Sequence, residues 1–153
     1  MLVIRNGTVA DAAAVTDANL QMAWESEQLR LDAATLAAGV GAALADPGKG
    51  RYFIAEMDEA FAGQLMITWE WSDWRNGNVW WIQSVYVRPE FRRRGVFRAL
   101  YGRAREEARR AGAVGLRLYV ERANAAGLGT YVALGMRRTH YDVMEEMFGG
   151  AGE

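Results

Sequence analysis

The segment from Val79 to Val120 constrains this chain most, because its pattern is strand, glycine-containing turn, helix and strand. Val79 to Val87 is apolar, rich in β-branched and aromatic residues, and ends at Arg88-Pro89. After the turn, small and apolar side chains recur every three or four residues, which marks one face of a helix: Val96, Leu100, Ala104, Ala108 and Ala111. A strand from Gly115 to Val120 follows. Because strand–helix–strand connections within one sheet are right-handed and join parallel strands, the segment predicts a parallel crossover.

The residues before this unit predict one strand, two helices and a hairpin. Leu2 to Arg5 is a short strand, and the capping pattern Thr8-x-x-Asp11 opens a helix to about Glu27. Asp32 is a candidate N-cap for a second helix, which Asp46-Pro47-Gly48 stops. The hairpin has the strands Tyr52–Met57 and Gly63–Trp69, joined by a turn at Asp58-Glu59. A tight turn at Asn76-Gly77 precedes the third long strand.

After the crossover, Asn124 precedes a helix to Leu134 that Gly135 closes, and Arg137 to Met147 predicts a final strand. The predicted order is therefore β-α-α-β-β-β-α-β-α-β. This is an α/β fold, with a mixed, mostly antiparallel sheet and a central parallel crossover flanked by helices. No linker or repeat divides the chain, so we expect one domain over residues 1–153.

Composition excludes several classes of site and partner. The 153 residues include no cysteine and one histidine, so a cysteine nucleophile, a disulfide and a multi-histidine metal site are excluded. A net charge of −1 argues against a general nucleic-acid binder. No apolar run approaches ~18 residues and the MLVIRNGT start does not resemble a signal peptide, so we expect a cytoplasmic protein that spans no membrane.

Positive charge is concentrated at the crossover turn. Arginine supplies almost all the basic residues, with Lys49 the only lysine, and four arginines lie within seven residues: Arg92, Arg93, Arg94 and Arg98. With Gly95 at a helix start, this turn could bind a phosphate through backbone N–H groups and arginine side chains. A solvated basic loop with a turn-forming glycine explains the residues equally well. No G-x-G-x-x-G or P-loop motif follows any strand.

Asn124 and Tyr131 belong to the helix after the second crossover strand. Because parallel strands bring their carboxyl ends to one sheet edge, this helix should begin near the arginine-rich turn. A tyrosine phenol, with a pKa of ~10, could donate a proton to a leaving thiolate. A core tyrosine is the simpler interpretation of Tyr131 taken alone.

Three motifs in register resemble the GNAT superfamily of acyl-CoA-dependent N-acyltransferases. Val85-Tyr86-Val87-Arg88-Pro89 resembles the strand beside the pantetheine, and Arg92-x-x-Gly95-x-Phe97 resembles the Q/R-x-x-G-x-G/A pyrophosphate loop. Asn124-x-x-Gly127-x-x-x-Tyr131-x-x-x-Gly135-Met136 resembles the family's N-x-x-A-x-x-x-Y-x-x-x-G-F segment. Phe97 and Gly127 depart from these patterns. Phe97 fits only if its side chain points away from the phosphates, toward Val96 and Tyr101.

The resemblance implies acetyl-CoA as acyl donor, a small-molecule or protein amine as acceptor, and direct attack without an acyl-enzyme. Backbone N–H groups would hold the pyrophosphate, a main-chain N–H near Val85 would stabilise the oxyanion, and Tyr131 would protonate the thiolate. The residues implied for the cofactor are Val85, Tyr86, Val87, Arg92, Arg93, Arg94, Gly95, Val96, Phe97, Arg98, Asn124 and Tyr131. No metal is implied.

The general base is left open among Glu25 and Glu27 on the first helix and Glu70 on a strand. Surface glutamates on a solvated helix face are the alternative. Five tryptophans lie close together in the sequence, with acidic residues between them, which is compatible with an acceptor pocket: Trp69, Trp71, Trp74, Trp80 and Trp81. Strand alternation puts Trp69 and Trp71 on one face, so we favour a structural or interface role, which allows a homodimer. Two other hypotheses are a non-catalytic acyl-CoA sensor and, from the arginines alone, a nucleic-acid-binding module.

Overall fold

A five-stranded mixed sheet forms the centre of the protein in the computed structural model, which describes residues 1–149. The spatial order is β1-β2-β3-β4-β5; the first three pairings are antiparallel and β4 pairs with β5 in parallel. The elements are β1 Leu2–Asn6, α1 Ala12–Glu27, α2 Ala33–Ala45, β2 Arg51–Met57, β3 Ala60–Ser72, β4 Gly77–Val87, α3 Val96–Arg110, β5 Gly115–Leu118 and α4 Ala125–Ala133. The α/β fold class and the central parallel crossover are confirmed.

The helix starts follow the predicted capping chemistry. The Thr8 backbone N–H donates to the Asp11 carboxylate at 2.7 Å before α1, and Asp32 accepts from the Thr35 N–H at 2.9 Å at the start of α2. In the turn after α2, the Lys49 ammonium lies 3.6 Å from the Asp46 carboxylate. In the described part of the chain, no helix combines the length and the apolar character needed to cross a membrane.

The sheet has an apolar layer on each face because alternate strand residues point to opposite sides. Helix α3 packs on one face against residues such as Phe53 and Trp80, while α1 and α2 cover the other through Val15, Val40 and Ile54. These two layers leave α1 and α3 on opposite sides of strand β4.

Strand β4 has a bulge and then diverges from β5. Met66 pairs with Gln83 whereas Gln64 pairs with Tyr86, which leaves an extra residue in β4 opposite the partner strand. Ser84 within this bulge has a positive φ of 49°. Pairing with β5 ends at Ile82 and Leu118. In the described chain, β4 from Gln83 to Val87 therefore has an open backbone edge facing the crossover side.

The predicted final strand from Arg137 to Met147 is absent. Residues 136–147 have no regular secondary structure and are largely exposed. A strand needs a neighbour for its backbone hydrogen bonds. This segment makes no ladder with β5 within the single chain, so β5 forms an edge of the described sheet.

Candidate functional site

The turn between β4 and α3 exposes a helix N-terminus. Gly95 has φ +81°, a conformation that glycine adopts without steric cost, and it is the N-cap of α3. The first N–H groups of a helix have no intrahelical partner, and no side chain of the N-cap residue bonds to those of α3. The helix dipole adds roughly half a positive charge at this end. The turn therefore offers an anion site.

The arginines of the turn divide into two roles. Arg93, Arg94 and Arg98 are exposed, and no carboxylate in residues 1–149 forms a salt bridge with them. Arg92 is different: its Nε donates to the Val87 carbonyl at 2.9 Å, and its Nη2 donates to Glu25 at 2.7 Å. Three side chains remain open to phosphate oxygens, whereas Arg92 ties the turn to β4 and α1.

Glu25, Tyr86 and Arg92 form a cluster that we call the Glu25 clamp. The Tyr86 hydroxyl donates to Glu25, and it also lies 3.1 Å from the Gln21 amide oxygen. The Tyr86 hydrogen bond, and next the Arg92 guanidinium, hold the pKa of Glu25 below its ordinary value. Burial, and next the Glu25 carboxylate, raise the pKa of Tyr86 to about 12. The clamp thus joins α1 to the exit of β4 and to the turn.

Phe97 joins the turn to Tyr131. Its ring lies 6.1 Å from the Tyr101 ring and 5.8 Å from the Tyr131 ring, in an edge-on arrangement with Tyr131. The side chain is half-buried against the core. It contacts Tyr101, as we expect from the sequence. Burial raises the pKa of the Tyr131 phenol, which keeps it protonated and able to donate.

Asn124 acts as the N-cap of α4. Its side-chain oxygen accepts from the Gly127 N–H at 2.9 Å. A Cβ at position 127 would lie 2.4 Å from the Asn124 amide nitrogen. The glycine at this position therefore allows the Asn124 side chain to fold over the first turn of the helix, which accounts for the departure from the family's alanine.

Glu70 is a residue of β3 and pairs with Val79, near the end of β4 that lies away from the arginine-rich turn. It accepts from the Trp81 indole N–H at 2.7 Å, and Arg117 lies 3.3 Å from its carboxylate. A cavity of about 450 Å³, lined also by Trp71 and Tyr119, opens beside it. The structure thus places Glu25 and Tyr131 around the turn, Glu70 in this separate cavity, and Glu27 exposed at the end of α1.

Gln64 is a candidate that the sequence did not reveal. Its side chain is fully buried, and its Nε2 donates to the Ser84 carbonyl in the β4 bulge at 3.0 Å. Its Oε1 has no hydrogen-bond partner in residues 1–149. The only available signal was a glutamine within an apolar strand, and nothing in the sequence places a bulge opposite it.

Gly63 allows three elements to meet beside the site. A Cβ at this position would lie 2.6 Å from the Tyr86 carbonyl oxygen, 3.3 Å from the Val87 Cα and 3.4 Å from a Val96 methyl group. The absence of a side chain therefore lets β3, the end of β4 and the first turn of α3 approach one another.

The model of the acetyltransferase (GNAT) family matches residues 15–136. This chain belongs to that family. A possible acetyltransferase from Clostridium difficile 630 is 38% identical, with a TM-score of 0.90 over 96% of this chain and 97% of that one. The GNAT fold, with its split between β4 and β5, is thereby established for this chain.

Two more distant structures share the fold. One is a predicted acetyltransferase with acetyl-CoA from Clostridium acetobutylicum, 17% identical with a TM-score of 0.78 over 95% of this chain and 96% of that chain. The other is a ribosomal-protein-alanine N-acetyltransferase from Brucella melitensis biovar Abortus 2308, 17% identical with a TM-score of 0.75 over 97% and 100% of the two chains. No curated protein sequence matches this GNAT chain.

Proposed function

We propose that this GNAT protein transfers the acetyl group of acetyl-CoA to a primary amine of a small molecule or a protein, by direct attack. The observation that carries the proposal is the meeting of three features at one place. These are the uncapped N-terminus of α3, the open edge of β4 after Ile82, and the protonated Tyr131 phenol held beside Phe97.

The cofactor would bind along β4 and end at the turn. The pantetheine arm would lie beside Val85, Tyr86 and Val87, like an extra strand on the open edge of β4. The pyrophosphate would accept from backbone N–H groups at residues 94–98, which include Gly95, Val96 and Phe97, with charge-assisted bonds from Arg93, Arg94 and Arg98. Arg92 and Asn124 would act indirectly, by holding the turn and the start of α4.

The reaction would need a proton acceptor for the amine, a hydrogen-bond donor for the oxyanion and a proton donor for the thiolate. A neutral amine attacks the thioester carbonyl, and a main-chain N–H near Val85 stabilises the negative oxygen of the tetrahedral intermediate. The C–S bond then breaks, Tyr131 protonates the departing CoA thiolate, and the proton that the attacking nitrogen loses to become an amide restores the Tyr131 phenol. The amide product keeps the acetyl group, so no acyl-enzyme forms.

Glu25 and Glu70 are the proposed proton acceptors for the incoming ammonium. The lowered pKa of Glu25 weakens it as a base, and its two partners give it a second role in positioning Arg92. Glu70 lies in a cavity with aromatic walls, which suits a cationic acceptor. Glu70 also has two partners, Trp81 and Arg117, and it pairs with Val79, far along β4 from Val85. The base is therefore left between Glu25 and Glu70.

Replacing each carboxylate separates these roles. With Glu70 as the base, we expect Glu70→Gln to lower kcat/KM for the amine about 10- to 100-fold, because the amine loses its proton acceptor. We expect Glu25→Gln to act mainly on acetyl-CoA, raising its KM several-fold as Arg92 loses its ion pair. Steady-state kinetics with each substrate varied, over a range of pH, measures both effects. Equal kinetics of Glu70→Gln and the parent protein would remove Glu70 from proton transfer.

We expect Gln64→Met to lower kcat about 10-fold, because the Ser84 carbonyl loses its donor and the bulge that presents the Val85 N–H relaxes. The free energy of unfolding should change by less than about 1 kcal/mol, since the substitution also removes the unpaired Oε1. Urea denaturation and kinetics on the same preparation test this. An unfolding change much larger than the kinetic one would make Gln64 a residue of stability alone.

The function itself is tested with a panel of amines and acetyl-CoA, followed by thiol release and by mass spectrometry of the amine. We expect release that depends on a specific amine and a product heavier by one acetyl group. Thiol release without any amine would indicate hydrolysis. Tight acetyl-CoA binding by calorimetry, with no turnover across a broad panel, would instead support a non-catalytic acyl-CoA sensor.

A further inference from the structure

Helix α4, which carries Tyr131, is held to the rest of the protein by few contacts. None of its nine residues is buried, and a helix this short is marginal in water without packing. Gly129 lowers its stability further, although a Cβ there would meet no atom within 4 Å. A cavity of about 1280 Å³, lined by residues of α3, β5 and α4, leaves the helix room to shift. The position of the Tyr131 phenol therefore depends on the few contacts that α4 makes.

The C-terminal end of α4 has a cap that includes Tyr131 itself. Gly135 has φ +102° and reverses the chain. The Met136 N–H then donates to the Tyr131 carbonyl at 3.0 Å, and the Gly135 N–H donates to the Val132 carbonyl at 3.0 Å. This is a Schellman motif. It leaves the Leu134 carbonyl, at the end of the helix, without a partner in the helix.

Arg105 of α3 supplies a partner for that carbonyl. Its Nη2 donates to the Leu134 oxygen at 2.5 Å, and a cation also suits the negative end of the helix dipole. The guanidinium carbon lies 5.2 Å from the centre of the buried Tyr101 ring, which fixes the direction of the side chain. In residues 1–149 no carboxylate forms a salt bridge with Arg105, whereas its neighbour Arg103 pairs with Glu107. The Arg105 donor is therefore directed at the end of α4.

Helix α3 contacts α4 at two separate points. Phe97, Tyr101 and Arg105 recur every four residues, so they lie on one face of α3. The Phe97 ring lies 5.8 Å from the Tyr131 ring. Arg105 reaches Leu134, three residues or about 4.5 Å further along the axis of α4. A single contact at Phe97 would allow α4 to pivot about that ring, and the second contact removes this freedom.

We propose that Arg105 is a positioning residue, which fixes the C-terminal end of α4 and thereby sets the position of the Tyr131 phenol. The inference rests on the proposed function, because it takes Tyr131 as the proton donor to the CoA thiolate. A misplacement of about 1 Å in a reacting group can lower a rate about 100-fold. Arg105 should therefore affect turnover, whereas the turn and the edge of β4 that would bind acetyl-CoA keep their shape.

The first test needs no substrate and uses hydrogen–deuterium exchange read by mass spectrometry. In Arg105→Met the apolar part of the side chain stays on Tyr101 and the donor is lost. We expect the amides of residues 128–134 to exchange about 10-fold faster than in the parent protein, with β3 unchanged as an internal reference. Parent-like exchange in α4, or faster exchange throughout the chain, would overturn the proposal.

Arg110→Met is the matched control for the exchange measurement. It makes the same change on the same helix, but it removes only an exposed ion pair with Glu106. We expect exchange in α4 to stay at the parent rate. Equal acceleration by the two substitutions would show that any lost arginine loosens α4, and would contradict a specific role for Arg105.

The second test compares turnover with binding, using acetyl-CoA and the most reactive amine of the panel. We expect Arg105→Met to lower kcat about 10-fold, while the dissociation constant for acetyl-CoA changes less than about twofold. Arg105→Lys keeps a donor and the charge, so it should restore kcat to within about threefold of the parent value. A loss that appears in acetyl-CoA affinity alone would contradict the positioning role.

A double variant shows whether Arg105 acts through the Tyr131 hydroxyl. Adding Arg105→Met to Tyr131→Phe should lower kcat by no more than about twofold further, because the group that Arg105 positions is already gone. Losses that multiply would overturn the proposal. Parent-like turnover in Tyr131→Phe would instead refute the proton donor of the proposed function. The exchange measurement then decides alone, with fast exchange in α4 supporting the role of Arg105 and parent-like exchange refuting it.

Discussion

Replacing Tyr131 with phenylalanine should lower kcat about 100-fold or more, while the dissociation constant for acetyl-CoA changes less than about threefold. The substitution removes only the hydroxyl, so the edge-on contact with Phe97 persists and the turn keeps its shape. In the mechanism that we propose, the variant lacks the proton that neutralises the CoA thiolate as the C–S bond breaks. Steady-state kinetics and calorimetry on the same protein separate the two quantities.

Tyr101→Phe is the matched control for this experiment. Tyr101 contacts the same Phe97 ring from within α3, so its loss of a hydroxyl should leave kcat within about twofold. The pH profile adds a second criterion. Because burial raises the pKa of Tyr131, the acid should stay protonated, and we expect no falling limb due to it below about pH 10. Parent-like turnover in Tyr131→Phe would transfer the acid role to another group or to water.

Gly63→Ala should be the most destabilising single methyl addition near the site, lowering the free energy of unfolding by about 2–4 kcal/mol. The new Cβ would meet the Tyr86 carbonyl oxygen at 2.6 Å, and backbone cannot rotate away as a flexible side chain could. The end of β4 would have to move from β3, which should also weaken acetyl-CoA binding. Chemical denaturation followed by calorimetry measures both.

Gly102→Ala provides the comparison for that prediction. Gly102 is exposed within α3, and a Cβ there would meet no atom within 4 Å. This substitution should stabilise the protein by about 0.5–1 kcal/mol, because alanine favours the helix. Similar effects of the two substitutions would show that Gly63 does not hold the strands in close contact.

The parts of the fold that local pattern encodes were predicted. The crossover from β4 through α3 to β5 follows from strand runs and from helical spacing within about forty residues of sequence. Gly95, Asp32 and Asn124 indicate turns and caps because their effects act within one helical turn. The resemblance to GNAT proteins rests on these same local segments, and the family match confirms it.

Features that depend on distant contacts could not be predicted. Glu25 and Arg92 are sixty-seven residues apart in the chain, and no single-sequence pattern shows that they form an ion pair. The bulge at Ser84 depends on a buried amide from the neighbouring strand, Gln64. The prediction of a last strand at residues 137–147 was wrong. A strand also needs a neighbouring strand, and a local pattern does not show whether one is present.

The single lysine, next to Asp46 in the turn after α2, has a practical consequence for studying this protein. Thioesters acetylate lysine amines without any catalyst, whereas guanidinium groups, protonated at every workable pH, are poor nucleophiles. A chain whose side-chain cations are almost all arginine offers its own acyl donor only Lys49 as a side-chain amine. Intact-mass spectra of the protein after incubation with acetyl-CoA should therefore show few acetylated forms. Acetyl groups found on a protein acceptor in the same reaction are then easily distinguished from acetylation of the enzyme itself.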